Sequence, residues 1–359
     1  MNFDFTDDQH AIKRTAREFL SARYKPETVR ELAADERGFT DQQWSELVQL
    51  GWPGVIVPEA HGGLGLGAVE LVVIFEEMGY ALAPSPLFSD VCAALLLAAS
   101  GTDEQRERWL GPLAAGECRG TLAVWDEHAG WAPDRSEVEP AGGALAATKI
   151  AVPDAATADF LLVAAADSRH YLLELGNSST EILSVPSLDQ TRKLYTVKLA
   201  GAPAQPLAHA PGPVRHAYAA IITALAAENV GVAQRAMEMA VQYAKDRKQF
   251  DRPIGSYQAV SHRCAQMLLE VESARSLCYW AAWALDHQPE TALRAASMAK
   301  AYASDAGFRV TSSALQVHGG IGFTWEHDLH FFLKRAKANA HAFGDARWHR
   351  DRVAALAEV

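Results

Sequence analysis

Arg247, Gln249 and Phe250 put a guanidinium, an amide and an aromatic ring together at one helix end, in the run Asp246-Arg-Lys-Gln-Phe-Asp-Arg-Pro-Ile254. A planar guanidinium can bind two phosphate oxygens at once, so the group suits a phosphate-bearing ligand. None of the three is needed for the turn, since Pro253 and Gly255 end the helix and Gln258 opens the next. The competing explanation is an arginine that caps its own helix end, where cations are favoured. A second candidate is the run from Val55 to Gly67, which holds four glycines. No Lys-Ser/Thr follows it, and no strand–turn–helix unit with a downstream acid surrounds it, so it is neither a P-loop nor a dinucleotide fingerprint. It is expected to be a tight connection between helices where something approaches the backbone closely. A third cluster, Glu326, His327, Asp328 and His330, with His341 and His349 following, carries metal-ligating types. It lacks the HExxH frame, and solvated His and Asp are common on amphipathic helices, so no metal site is expected.

The elements that must position these groups follow from periodicity. Residues 1 to 119 are predicted helical: Thr6 and Gln9 form a capping box ahead of Ile12, Ala16, Phe19 and Leu20, and another helix runs from about Gln42 to Leu50. Between residues 120 and 211 the pattern turns to short β-prone runs bounded by Gly, Pro, Asp and Ser: Thr121–Trp125, Ala144–Val152, Phe160–Ala165, His170–Leu175, Glu181–Val185 and Lys193–Leu199. From 212 to 359 long helices return, over Val214–Lys245, Gln258–Asp286, Glu290–Val317 and a last one from about Glu326, a pattern for an antiparallel four-helix bundle. The predicted fold is thus mostly α with a small β middle domain, in the order α, β, α. A length of 359 residues supports two or three packed units. Net charge is −11, which leaves a nucleic-acid role without an electrostatic footprint. Four cysteines without a CxxC pair read as reduced thiols. The acidic N-terminus lacks a signal-peptide core, and no apolar run approaches the ~20 residues needed to span a bilayer. A cytoplasmic protein is expected.

This architecture, with three motifs, resembles the acyl-CoA dehydrogenase family over nearly the whole chain. The first motif is Arg247 to Ile254, close to the family's Arg-x-x-Phe-Gly-x-Pro-Ile, with Asp251 where Gly is usual. The second is Gln316-Val-His-Gly319-Gly320-Ile-Gly322, and the third is Pro58-Glu-Ala-His-Gly-Gly63. The resemblance implies an α, β-barrel and four-helix-bundle architecture, FAD, an acyl-CoA substrate, and an electron-transferring flavoprotein as acceptor. It also implies a dimer or tetramer, homomeric or heteromeric, acting in lipid β-oxidation. In the family a carboxylate takes the acyl α-proton and the β-hydrogen passes as hydride to the flavin. A proton next to a thioester is weakly acidic, so that base must be well placed and the thioester oxygen hydrogen-bonded. Each flavin is held by two subunits. By resemblance, Arg247, Gln249, Phe250, Gln316, Gly319 and Gly320, and with them Gln258, reach a neighbour's FAD.

Three departures matter. The first flavin strand carries Val124-Trp-Asp-Glu-His-Ala-Gly130 without the usual hydroxyl, and the second carries Lys149-Ile-Ala-Val-Pro153-Asp-Ala155, with Pro153 in the hydroxyl's place. Phe343 stands where the family has its catalytic glutamate, and Ile221 fills a second base position known in the family. Two carboxylates could substitute. Asp345 lies two residues beyond Phe343; its other reading is an Asx turn or helix cap after Gly344. Glu228 shares a helical face with Ile221, Leu225 and Val232, where burial would raise its pKa and suit it as a base. Its other reading is a core acid partnered by, for example, an arginine of a facing helix. The residues that would serve this chain's own flavin are altered and those that would serve a neighbour's remain. That pattern points to a subunit completing a partner's site, against a homomeric enzyme using Asp345 or a non-catalytic assembly protein.

Overall fold

The computed structural model describes residues 5–127, 135–176 and 178–357. His128, Ala129 and Gly130, which end the first flavin run, lie outside the described residues, as do the first four residues. The chain forms two compact units: one of residues 1–30, 68–83 and 222–359, the other of 31–67 and 84–221.

The first is called the helical unit and the second the mixed unit. In chain order the chain begins with α1 (Asp7–Arg23) in the helical unit, α2 (Pro26–Ala34), which runs across the boundary at residue 30, and α3 (Asp41–Gln49) in the mixed unit. Two of these starts are the capping boxes that Thr-x-x-Gln spells, at Thr6–Gln9 and Thr40–Gln43, with each side chain bonding the other's backbone N–H. The glycine-rich run after α3 folds as turns around a short 3-10 segment, Glu59–His61. The close approach expected there is made by the chain itself: a Cβ at Gly63 would sit 2.1 Å from the Val57 carbonyl oxygen. Next come α4 (Ala68–Ala81), α5 (Leu87–Ser100) and α6 (Asp103–Ala114). The strands are β1 (Gly120–Ala123), β2 (Trp125–Asp126), β3 (Ala144–Pro153), β4 (Phe160–Ala164), β5 (His170–Glu174), β6 (Thr180–Val185), β7 (Leu194–Pro203) and β8 (Gln205–Pro206). They form two four-stranded sheets, ordered β1-β4-β5-β8 and β2-β3-β7-β6. The run expected as one strand, Thr121–Trp125, is therefore shared: β1 pairs with β4 in one sheet and, after Val124, β2 pairs with β3 in the other. A core including Leu145, Val152, Leu161, Val163, Leu173 and Val197 joins residues from both sheets. Alternation explains β7, whose buried Tyr195, Val197 and Leu199 are separated by less buried neighbours, whereas β4 is buried at every position.

The helical unit contains α1, α4 and the long helices after residue 222. These are α7 (Pro211–Asp246), whose first residues belong to the mixed unit, then, after the short pair β9 (Lys248–Gln249) and β10 (Arg252–Pro253), α8 (Gln258–His287), α9 (Pro289–His318), α10 (Leu329–His341) and α11 (Ala346–Ala357). The last predicted helix is thus two helices, broken where Phe343 (φ +56°) and Gly344 (φ +99°) turn left-handed. On α9 a stripe of small residues (Ala292, Ala295, Ala299, Ala303, Ala306) is fully buried, which lets neighbouring helices pack closely. Contact between α4 and α7 is closer still. A Cβ on Gly231 would lie 1.8 Å from the Glu76 carbonyl oxygen, and one on Gly79 would lie 1.9 Å from that of Glu228. Only glycine fits at both places. Buried carboxylates on α4 tie α1 down: Glu76 accepts from Lys13 at 3.0 Å, and Glu77 pairs with Arg17. No described helix is long and apolar enough to cross a membrane.

Candidate flavin-binding edge and the altered base position

At the end of α7 the chain makes a two-residue hairpin, with Arg252 paired to Gln249 and Pro253 to Lys248. Its central residues, Phe250 (φ +52°) and Asp251 (φ +63°), are both left-handed, the geometry of a type I′ turn. This accounts for glycine at the position of Asp251 in the resembling motif; Asp is one of the few other residues that tolerates it. The turn pushes the Phe250 ring outward, 89% exposed. The Tyr257 hydroxyl donates to the Gln249 carbonyl at 3.2 Å, while the Gln249 amide donates to the Lys248 carbonyl at 2.7 Å. Arg247 is exposed, and its guanidinium has no ion-pair partner among the described residues. Among the described residues that guanidinium makes no hydrogen bond to the last carbonyls of its own helix.

The second motif lies beside the first. Tyr243, one turn before Arg247, stacks on His318 with centroids 4.5 Å apart and planes at 24°. His318 is buried and its Nδ1–H donates to the Ala314 carbonyl at 2.8 Å, so the stack is fixed on α9. Directly after it Gly319 (φ +65°) and Gly320 are exposed, and added Cβ atoms would meet nothing within 4 Å. Gln316 is exposed on the preceding turn, and Gln258 is exposed at the start of α8. One edge of the helical unit thus gathers a free guanidinium, an exposed amide, a projecting aromatic ring and bare glycine backbone. That donor set fits the diphosphate and adenine of FAD. Tyr243 was not among the residues singled out from sequence; its i+4 spacing to Arg247 was the available signal.

The two substitute carboxylates occupy different settings. Glu228 is 2% exposed on α7, with one oxygen paired to the Arg335 guanidinium of α10 and the other accepting from Asn339 Nδ2 at 3.1 Å. Arg335 is itself 1% exposed. The core-acid arrangement, with an arginine of a facing helix, is the one that the side chains form. Asp345 is half-buried and is the N-cap of α11: its Oδ1 accepts from the Trp348 N–H at 2.8 Å. Phe343, which the resemblance puts at the family's base position, is 4% exposed. The backbone beside it is tightly held. His349 Nε2–H donates to the Phe343 carbonyl at 2.9 Å, and Lys300 donates to the carbonyls of Gly344 at 2.9 Å and Ala340 at 3.3 Å. Burial lowers the pKa of His349 to about 3, so it is neutral near pH 7. Burial likewise lowers that of Lys300 to about 7, with Asp345 and Asp305 opposing. Lys300 interrupts the alanine stripe of α9, the sequence signal by which it could have been noticed.

In the mixed unit, β2 and β3, which the resemblance makes the first and second flavin segments, are bound to each other by charge. Lys149 of β3 is fully buried and pairs with Asp126 of β2 at 2.7 Å, while also donating to Ser136 Oγ at 2.9 Å. Burial lowers the Lys149 pKa, against the pull of Asp126. Thr121, the nearby hydroxyl, is spent on the Pro153 carbonyl at 2.7 Å. Neither segment presents a free side-chain hydroxyl among the described residues of Val124–Glu127 and Lys149–Ala155.

The histidines of the third cluster do not converge. His327 tilts against His318 at 4.5 Å, Asp328 pairs with Arg30 at 2.6 Å, and His349 is committed to Phe343. Among the described residues no group of three His, Cys, Asp or Glu side chains could hold a metal ion. All four cysteines are free.

Comparison with known proteins bears on the whole chain. Residues 6–117 match the model of the acyl-CoA dehydrogenase N-terminal domain and residues 223–357 that of the C-terminal domain. Acyl-CoA dehydrogenase IpdE2 of Mycolicibacterium smegmatis is 31% identical over 348 residues, covering 95% of this chain and 96% of the relative. Acyl-CoA dehydrogenase FadE27 of Mycobacterium tuberculosis is 30% identical, covering 98% of each. Among solved structures, the Tcur3481-Tcur3483 steroid ACAD G363A variant superposes with a TM-score of 0.90 at 30% identity, over 98% of both chains. The ChsE4-ChsE5 complex from Mycobacterium tuberculosis gives 0.88 at 27% identity, over the full length of each. The chain therefore belongs to the acyl-CoA dehydrogenase family of FAD-dependent oxidoreductases.

Proposed function

We propose that this chain takes part in α,β-dehydrogenation of an acyl-CoA thioester as one subunit of a hetero-oligomer, completing the FAD site of a partner chain that carries the base. The observation that carries this reading is Phe343: its phenyl ring, unable to accept a proton, is buried where the resemblance puts the family's base. Glu228 is committed to Arg335 and Asn339, and Asp345 to a helix cap. Arg247 and Gln316 would bind phosphate oxygens, Gln249 and Gln258 would add amide donors, and Phe250 would cover the adenine end. The backbone N–H groups at Gly319 and Gly320 would receive the diphosphate. When bound, the flavin supplies acceptance of the substrate's β-hydrogen as hydride. The partner's carboxylate would remove the α-proton.

Two relatives support the heteromeric reading because their names join two gene products, the Tcur3481-Tcur3483 steroid ACAD and the ChsE4-ChsE5 complex. By the first of these, a bulky ring-bearing acyl-CoA is the substrate class we favour. An electron-transferring flavoprotein as acceptor and a cytoplasmic location complete the proposal, as do three functional segments, 1–119, 120–211 and 212–359. The second reading, a homomeric dehydrogenase, rests on Asp345, half-buried two residues from Phe343. The test is co-purification with a base-bearing dehydrogenase chain. Arg247→Ala with Gln316→Ala should strip FAD from the complex while leaving the complex assembled. Full FAD retention in that variant would sink the reading.

A further inference from the structure

The helical unit contains a cleft of about 240 Å³ that the flavin-binding edge does not use, bounded by α1, the end of α4, the middle of α7 and the start of α10. Its apolar lining includes Leu82, Met239, Phe331 and Phe332. Leu82 closes α4 in a Schellman arrangement, with Leu82 N–H bonded to Gly79 and Ala83 N–H to Met78, and it takes the left-handed φ of +51° that glycine usually fills. The leucine side chain is thus kept in the wall at a backbone cost.

The cleft's charges do not cancel locally. Its carboxylate, Asp328, is paired with Arg30 at 2.6 Å. Behind the wall Glu77 is paired with Arg17, and Glu238 accepts the Tyr80 hydroxyl at 2.6 Å. Two lining cations remain. Arg235 is half-buried on α7, and its contacts among the described residues are a 3.4 Å bond to the Tyr80 hydroxyl and an approach of 5.4 Å to that ring. Lys25 is exposed at the rim and has no ion-pair partner among the described residues. A guanidinium with most of its N–H donors unused, beside apolar walls, in a chain of net charge −11, is a selective feature.

We propose that this cleft binds a small carboxylate with an apolar body, an aryl-alkanoate or medium-chain alkanoate. Its carboxylate would lie on Arg235 and Lys25, and its body would lie against Met239, Phe331 and Phe332. The space falls below the roughly 300–1,000 Å³ of pockets that enclose drug-sized ligands, so a whole acyl-CoA does not fit and a free acid does. This site is independent of the acyl-CoA reading, since it uses neither the edge at Arg247 nor the turn at Phe343.

The probe is 4-phenylbutyrate, titrated calorimetrically into the full chain at pH 7 with 4-phenylbutyramide as its uncharged counterpart. Saturable binding with a Kd of about 1 mM or tighter is expected for the acid, weakened at least about tenfold for the amide. Arg235→Gln with Lys25→Gln should weaken the acid by at least about tenfold. Met239→Trp, which fills the cleft and leaves both cations in place, should abolish binding. Absence of saturable binding to the unaltered chain would overturn the proposal. So would unchanged affinity in either a folded Arg235→Gln/Lys25→Gln variant or the Met239→Trp variant.

Discussion

Arg335→Met is the most informative single perturbation of this chain. The guanidinium is 1% exposed and Glu228 is 2% exposed, so removing it takes the countercharge from a carboxylate in the core, which Asn339 contacts at 3.1 Å. Breaking a buried ion pair from one side costs about 3–5 kcal/mol, because the surviving charge cannot regain its hydration. For a unit of this size each kcal/mol shifts Tm by about 2–4 °C, so a fall of roughly 6–20 °C is expected. Glu228→Gln keeps an acceptor for one neighbour and removes the charge; it should cost about 1–3 kcal/mol. The double change Glu228→Leu/Arg335→Met removes both charges together and should lie within about 2 kcal/mol of the unaltered chain. Circular-dichroism melts of the purified variants, with turnover measured in the assembled complex, separate the roles. A loss of less than about 1 kcal/mol in Arg335→Met would refute the buried-pair reasoning. A normally stable Glu228→Gln that loses about a thousandfold or more in turnover would make Glu228 the base.

Four further outcomes follow from other sites. Gly231→Ala should destabilise by about 1–3 kcal/mol or more, because a methyl 1.8 Å from the Glu76 carbonyl oxygen forces α4 and α7 apart; an unchanged urea midpoint would contradict that packing. Asp345→Ala should lower stability by about 1 kcal/mol through loss of the α11 cap, whereas Asp345→Asn, which can still accept from Trp348, should be nearly neutral in both stability and turnover. Collapse of turnover in Asp345→Asn would restore the homomeric reading. His349, with its pKa lowered to about 3 by burial, is neutral when folded and binds a proton when unfolded below its ordinary value of 6.5. Its contribution is therefore present above 6.5 and lost as pH falls towards 3, and His349→Gln should flatten the acid limb of a stability–pH curve by up to one proton. Lys300, lowered to about 7 from 10.5, works in the same sense at higher pH: the unfolded chain holds the extra proton between the two values. Stability should rise with pH across that window, and Lys300→Met should remove up to one proton from the slope.

What could be read from the sequence was what local spacing controls. Thr6 and Gln9 announced a capping box that both side chains form, and four of the β-prone runs, from Ala144 to Val185, became strands within a residue of their limits, whereas the run from Lys193 extends to Pro203 and β8 had no counterpart. The α, β, α order followed from changes of period alone. Pairing across the chain was not legible. Nothing near Glu228 named Arg335, which is 107 residues away, and nothing in the run Thr121–Trp125 showed that the chain would change sheets at Val124. The break between α10 and α11 was missed because a Phe in left-handed geometry carries no local signal of it, although Gly344-Asp345 was a usable stop and cap. The edge was half legible: the motif types marked Arg247 and Gln316, but their adjacency depends on the Tyr243–His318 stack. Lys300 and Lys149 were charges on apolar faces, and each is resolved by partners that only folding brings near.

The most direct measurement is the FAD-to-chain ratio, from flavin absorbance, of this chain purified alone and again co-expressed with a base-bearing dehydrogenase subunit. A partner-completing role expects essentially no flavin in the lone chain and about one FAD for every two chains in the mixed assembly. About one FAD per chain in the protein purified alone, with turnover of an acyl-CoA, would contradict it.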